Sequence, residues 1–283
     1  MRQLTFFSRL LIALCLLYPS ILSGQCNLET SFFSVNERLN FDVYFNWKFV
    51  WVKAADAEIK SYSTAYKGTN AYRTILSGKT KGLVHDLYSV NDTLTSYVSS
   101  SDLTPLFYSK VAHEGKSYNA YEEISYDYSD TLTTVKARLK SWRDKKLKKN
   151  VSLTSQKCFY DAVTLLYFIR SLNPEKMPVN GILSIPVLFT DESFNVKITY
   201  KGPGTIDVDG EKIKTVKYSL AIGGKVFENK KESLFVWLSN DQNRLPVMIE
   251  TKLKVGSIKA MLKKASGYRN ACSAFPAGSK IAK

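Results

Sequence analysis

Residues able to do chemistry are few in this chain, and their spacing does not suit it. There are two histidines, His85 and His113. His113-Glu114 begins like a zinc-protease helix, in which two histidines four residues apart share one face and hold the metal. The second ligand would fall at Ser117, and Gly115 suits a turn. No flanking signature supports a triad of serine, histidine and aspartate. Ser77-Gly78-Lys79-Thr80 copies the end of a phosphate loop, but Arg73 stands where its first glycine belongs and no helical pattern follows. The acids Glu122-Glu123, Asp127, Asp191-Glu192, Asp207 and Asp209 would serve glycan hydrolysis only if two of them met face to face. Neighbouring acids on a strand point to opposite faces, which argues against that reading. No cysteine-rich or histidine-rich cluster exists, so neither a metal nor a cofactor is expected.

The elements that would carry these residues are mostly strands. Leu39, Phe41, Val43, Phe45, Trp47, Phe49 and Trp51 alternate with polar residues, which reads as one half-buried strand bent near Asn46. Thr131, Thr133, Val135, Ala137 and Leu139 alternate in the same way. Glu114-Gly115-Lys116 and Asp209-Gly210-Glu211 read as hairpin turns. The apolar phase flips at Gly256-Ser257, which predicts a two-residue turn placing Val255 and Ile258 on one face, with a bulge the second choice. One helix is expected over Asp161–Leu172, because Cys158, Ala162, Leu165, Ile169 and Leu172 form a stripe and Asn173-Pro174 stops it. Ser239-Asn240-Asp241-Gln242-Asn243-Arg244 sits between two apolar runs. It could ligate calcium only with more carboxylates than it has, and it reads as a corner. Many strands and one helical stripe predict a curved antiparallel sheet with the helix buried on its concave side.

Arg2, Arg9 and the apolar core Leu10–Leu17 read as a signal peptide, residues 1–24, cut before Gln25. Lipoprotein processing at Cys26 competes, but Gln25 is a poor residue to precede such a cut. The expected product is periplasmic or outer-membrane-associated, without a transmembrane segment. A single β-rich domain follows over residues 25–268, with a poorly ordered tail over 269–283. Of the cysteines left, Cys26, Cys158 and Cys272, at most one intramolecular pair can form, and three pairings are open. We expect Cys26–Cys272, closing the longest loop outside the sheet core, with Cys158 a buried free thiol on the helix stripe. The formal charge is +15, and Lys136–Lys149 (KARLKSWRDKKLKK) holds eight basic residues and one acid. A lysine-rich solubilising surface accounts for this; so would contact with an anionic envelope surface, with Trp142 as its anchor. Nucleic acid is excluded by the expected compartment and by the missing stacking motifs.

Several segments together resemble one family. They are Asn36–Phe41 (NERLNF), Gln156–Leu172, Phe189–Gly202, Lys225–Lys230 (KVFENK), Val236–Val247 and Lys254–Leu262. They look like the exported bacterial family called domain of unknown function 3108, and within it the Bacteroidetes-type members. One departure is Asn36, where that family usually has glycine. The resemblance implies an envelope-associated antiparallel sheet shaped like the open half-barrels of lipoprotein carriers. It implies no activity and no catalytic residue.

Phe41, Phe45, Trp47 and Trp51 then read as one aromatic strand face, and Trp237 lies on a strand apolar on both sides. That is more ring surface than strand pairing needs. These residues are the expected lining of a cavity between sheet and helix that would take a lipid or other apolar ligand. A structural or assembly factor of the envelope, binding a protein or glycan with a filled core, is the alternative.

Overall fold

The computed structural model describes residues 26, 28–129, 134–189, 192–222, 234–253 and 256–282. The signal segment, Thr131, Thr133, Asp191, Val255 and the KVFENK segment lie outside them. A first meander runs through β1 (Arg38–Trp47), β2 (Val50–Tyr66), β3 (Thr69–Thr80), β4 (Val90–Ser99), β5 (Pro105–Glu114), β6 (Tyr118–Tyr128), β7 (Val135–Arg143) and β8 (Lys146–Ser155). A short helix α1 (Gly82–Leu87) interrupts it between β3 and β4. It follows Ser77–Thr80, contrary to the sequence reading, but those four residues are strand and pair with both neighbours. After helix α2 (Ala162–Ser171) the second meander runs through β9 (Ile182–Phe189), β10 (Glu192–Val208), β11 (Glu211–Ile222), β12 (Leu234–Ser239), β13 (Pro246–Lys252) and β14 (Ser257–Ser266). The last strand pairs with the first, which fuses both meanders into one 14-stranded sheet in the order β8-β7-β6-β5-β4-β3-β2-β1-β14-β13-β12-β11-β10-β9. Its two edges are β8 and β9, so the sheet is open and not a closed barrel.

Alternation decides which face is buried. Leu39, Phe41, Ile59, Ile124, Leu139, Val236 and Leu262 belong to one continuous core on the concave side. Helix α2 lies there. Its cap is reciprocal: the Asp161 carboxylate accepts from the amides of Val163 and Thr164 at 2.9 Å, and the Asp161 amide donates to Thr164 Oγ1 at 2.8 Å. The Tyr167 hydroxyl then reaches Ser61 on β2 at 3.0 Å and Thr74 on β3 at 2.5 Å, while Ser96 Oγ on β4 donates to Asp161 at 3.2 Å. These bonds satisfy polar atoms that helix burial would otherwise strand.

Several expectations are corrected. Cys26 is bridged to Cys158, not Cys272, with 5.2 Å between their Cα atoms. Cys158 therefore precedes the helix as half of a disulfide, and Cys272 is the free thiol. The tail is packed: Ala274, Phe275 and Ile281 are buried, and the Ala265 amide donates to the Ile281 carbonyl at 2.7 Å. The β13–β14 connection is residues 253–256, since Lys252 faces Ser257, and is not a two-residue turn. The hairpins at Gly115 and at Asp209-Gly210 stand where the sequence put them, with positive φ at each.

Candidate functional site

One end of the concave space is closed by a polar junction. Arg170, fully buried on α2, donates to Glu37 through Nη1 at 2.7 Å and Nη2 at 2.8 Å, and Nη2 also donates to the Asn243 carbonyl at 3.0 Å. The Phe32 ring lies 4.8 Å from the guanidinium. Asn243 belongs to the polar corner between β12 and β13. Its side chain donates to the Asn270 carbonyl at 2.7 Å and accepts from the Asn270 amide at 2.7 Å. Asp241 Oδ1 accepts from Ser239 Oγ and from the amides of Asn243 and Arg244, while its Oδ2 accepts from the Ala274 amide. The corner is a turn, as its composition implies, and it also clamps the tail. Beside it, a Cβ on Gly267 (φ 68) would stand 2.1 Å from the Asn36 carbonyl oxygen, so that position tolerates no side chain. Asn36 itself keeps a negative φ, so its turn does not require glycine.

The other end is open. Phe45 faces Val52 and Ile258, Val43 faces Ala55 and Ala260, and Ile249 and Thr251 continue the same surface across β13. All lie in register with the core but are only partly covered; Val52 is 37% and Ile258 40% exposed. The floor of the concavity beyond the helix is therefore apolar and reachable from solvent. It is the candidate ligand site.

The five aromatic residues expected there do not act together. Phe41 is core, packed deep behind the floor. Phe45 lines the floor. Trp47 ends β1, and its side chain lies outside the described part of the structure. Trp51 is on the convex face: the chain turns at Lys48-Phe49, Trp47 pairs with Val50, and the alternation inverts. Trp51 is 47% exposed, stacks on Tyr44 at 5.4 Å and has Lys259 Nζ 5.2 Å from its ring centroid. Trp237 is convex as well, opposite Lys217 and Met248, with Lys217 Nζ 4.6 Å from its ring centroid. The floor residues Val43, Val52, Ile249 and Ile258 were missed. Their alternation is visible in the sequence; which strands join side by side is not.

The family profile described as "Protein of unknown function (DUF3108)" matches residues 40–263. The chain belongs to this family. Among solved structures, it resembles a crystal structure of a beta-barrel-like protein of domain of unknown function DUF1849 from Brucella abortus. The TM-score is 0.52 at 9% identity, covering 83% of this chain and 99% of that one, and the likeness is one of fold alone. No curated protein matches the sequence.

In this DUF3108 chain the candidate acids of the described residues do not meet as a facing pair; the Glu192 side chain, like Asp191, lies outside them. Glu123 faces outward toward Lys140 at 3.6 Å, while Glu122 faces the concavity opposite Lys110. Asp127 pairs with Arg138 on the convex face. Asp92, also concave, lies 3.6 Å from Lys110 Nζ. Burial pushes the carboxyls of Glu122 and Asp92 above their ordinary values, with Lys110 pulling the other way. His85 Nδ1 lies 3.3 Å from Thr80 Oγ1, and His113 Nδ1 lies 2.7 Å from Asn119 Oδ1, each a local bond. Among the described residues no helix is long and apolar enough to cross a membrane.

Proposed function

We propose that this is an exported, non-catalytic envelope protein whose open concave floor holds an apolar ligand, with an acyl chain the first choice. The observation that carries this reading is the floor itself. Val43, Phe45, Val52, Ile249 and Ile258 form one apolar surface, continuous with the core and partly in water. Folded proteins seldom leave such a concave surface uncovered without use. Each methylene laid on it gains about 0.8 kcal/mol, so a fatty chain needs no charged partner for useful affinity. Export is supported by the N-terminal leader pattern and fits a Cys26–Cys158 bridge, which favours an oxidising compartment. A thioether lipid at Cys26 would compete for the sulfur that this bridge uses, which supports cleavage without lipidation.

The test is titration of lipid-stripped protein with a fluorescent fatty acid. Saturable uptake is expected. Val52→Asp and Ile258→Asp should each weaken it about tenfold or more, equivalent to ~1.4 kcal/mol. Trp51→Ala, on the convex face, should leave uptake unchanged. No uptake by stripped wild-type protein, or uptake insensitive to both floor substitutions, overturns the reading.

The convex rings favour a second reading, a structural or assembly factor. Tyr44, Trp51 and Trp237 present aromatic surface with lysines beside it, suited to a protein or glycan partner. Retention on immobilised envelope glycan, lost in Trp51→Ala and Trp237→Ala and unaccompanied by acyl uptake, would replace the first reading with this one.

A further inference from the structure

We infer a second, independent surface: the convex face at the β8 edge docks on an anionic phospholipid bilayer. The register sets Val111, Tyr121, Trp142 and Leu147 in one row across β5, β6, β7 and β8. Bulging at Ser141/Trp142 keeps Leu147 in line with Trp142. The row faces away from the core. Leu147 is 55% exposed, the Tyr121 and Trp142 rings lie 5.3 Å apart, and an open groove of about 790 Å³ runs past Val111, Tyr121 and Trp142. An apolar row ending on an exposed edge strand invites association, and its surroundings say with what.

The stretch from Arg143 through Lys149 holds five basic residues and one acid. Lys145, in the Asp144-Lys145 turn with φ of 49 and 64, borders the groove, and Arg143, Lys146 and Lys148 stand exposed around the same hairpin end. A flat apolar strip containing tryptophan and tyrosine, rimmed by lysines, matches the headgroup boundary of an anionic leaflet. There the rings insert and the ammonium groups meet phosphate. Lysines on an edge strand have another use, preventing edge-to-edge pairing between copies. That use accounts for charge on β8 but not for an outward apolar row spanning its three neighbours. The inference does not depend on what the concave floor holds.

The experiment is flotation of the full-length processed protein with vesicles of phosphatidylglycerol mixed into phosphatidylcholine, against phosphatidylcholine alone. Binding is expected only to the anionic vesicles, weakening as salt rises. K145E/K146E should lose about fivefold for each lysine removed, before any added repulsion. W142A/L147S should also lose binding, and wild-type tryptophan emission should shift to the blue on vesicles, an effect absent from Trp142→Phe. These positions are partly or fully exposed, so circular dichroism should report unchanged folding. The inference is overturned by no flotation or by equal flotation on both vesicles. It is equally overturned if dextran sulfate binds as well as vesicles and W142A/L147S changes neither, since the surface is then only charged. Self-association of K145E/K146E without any vesicle binding by wild type would assign the lysines to edge protection and also overturn it.

Discussion

Replacing Arg170 with methionine keeps a long, flexible stem in the core and removes only the guanidinium. Two charge-assisted hydrogen bonds to Glu37 and one to the Asn243 carbonyl disappear. Glu37, only 2% exposed, is left charged and unpaired, and opening a buried pair in this way costs about 3–5 kcal/mol. The double substitution Glu37→Met with Arg170→Met removes both charges. What then remains is a carbonyl at Asn243 without its donor, worth about 1–3 kcal/mol. The double variant should therefore be more stable than Arg170→Met alone. Urea unfolding at neutral pH, with the disulfide intact, measures all three; urea is preferred because guanidinium salts screen the pair. A single-variant loss below about 1 kcal/mol would refute the assignment of this pair as a buried clamp. So would a double variant whose loss equals the sum of the two singles.

Two other outcomes follow from the same structure. Non-reducing peptide mapping should join the Cys26 and Cys158 peptides and leave Cys272 open to alkylation, and Cys26→Ser should lose about 5 kcal/mol in the chain-entropy model for this 132-residue separation. Burial raises the Asp161 carboxyl above its ordinary 3.8, so the folded state holds this proton more tightly than the unfolded one. Its unfavourable contribution is complete above the folded value and fades as pH falls toward 3.8. Relative to Asp161→Asn, which keeps an acceptor for the helix cap, wild type should thus gain stability as pH is lowered from neutral, as followed by urea midpoints. A constant difference between the two proteins would show that the carboxyl is not penalised.

The sequence reading succeeded where the determinant is local. The β1 alternation, the Gly115 and Asp209-Gly210 turns and the Asp161 start of α2 all depend on residues within one or two turns of chain. The misreadings share a cause. Lys48-Phe49 carries neither glycine nor asparagine, yet Lys48 adopts φ 51, so the alternation runs unbroken through a hairpin and carries Trp51 to the wrong face. The position of Cys158 beside Cys26 depends on how the segment before α2 crosses the sheet, which no spacing encodes. The tail has no periodicity of its own; its order comes from Asn243 and Asp241, nearly thirty residues upstream, and from Glu211, which accepts from Ser279 and the Lys280 amide. The segments that carry the family resemblance converge in part on the Glu37–Arg170–Asn243 junction. What was most recognisable in the sequence thus closes the concavity and, through Ile258, reaches its open floor, whereas Val43, Val52 and Ile249 on that floor stand outside the recognised segments.

The order of synthesis gives the strand arrangement a kinetic meaning. Leu39 waits for Ala265, so β1 has a free edge throughout production of everything between them. The first eight strands can pair as they emerge, each with the one just made. The seam down the middle of the finished sheet forms last, between the earliest strand and the final one. Until β14 arrives, an apolar strand carrying Phe41 and Phe45 offers its unpaired backbone to any passing chain. The seam is a contact of very large sequence separation, a slow kind to form. The vulnerable species in this protein's life is therefore a nearly complete chain lacking only its last strand and the tail packed behind it, and truncation before Ser257 would make that species permanent.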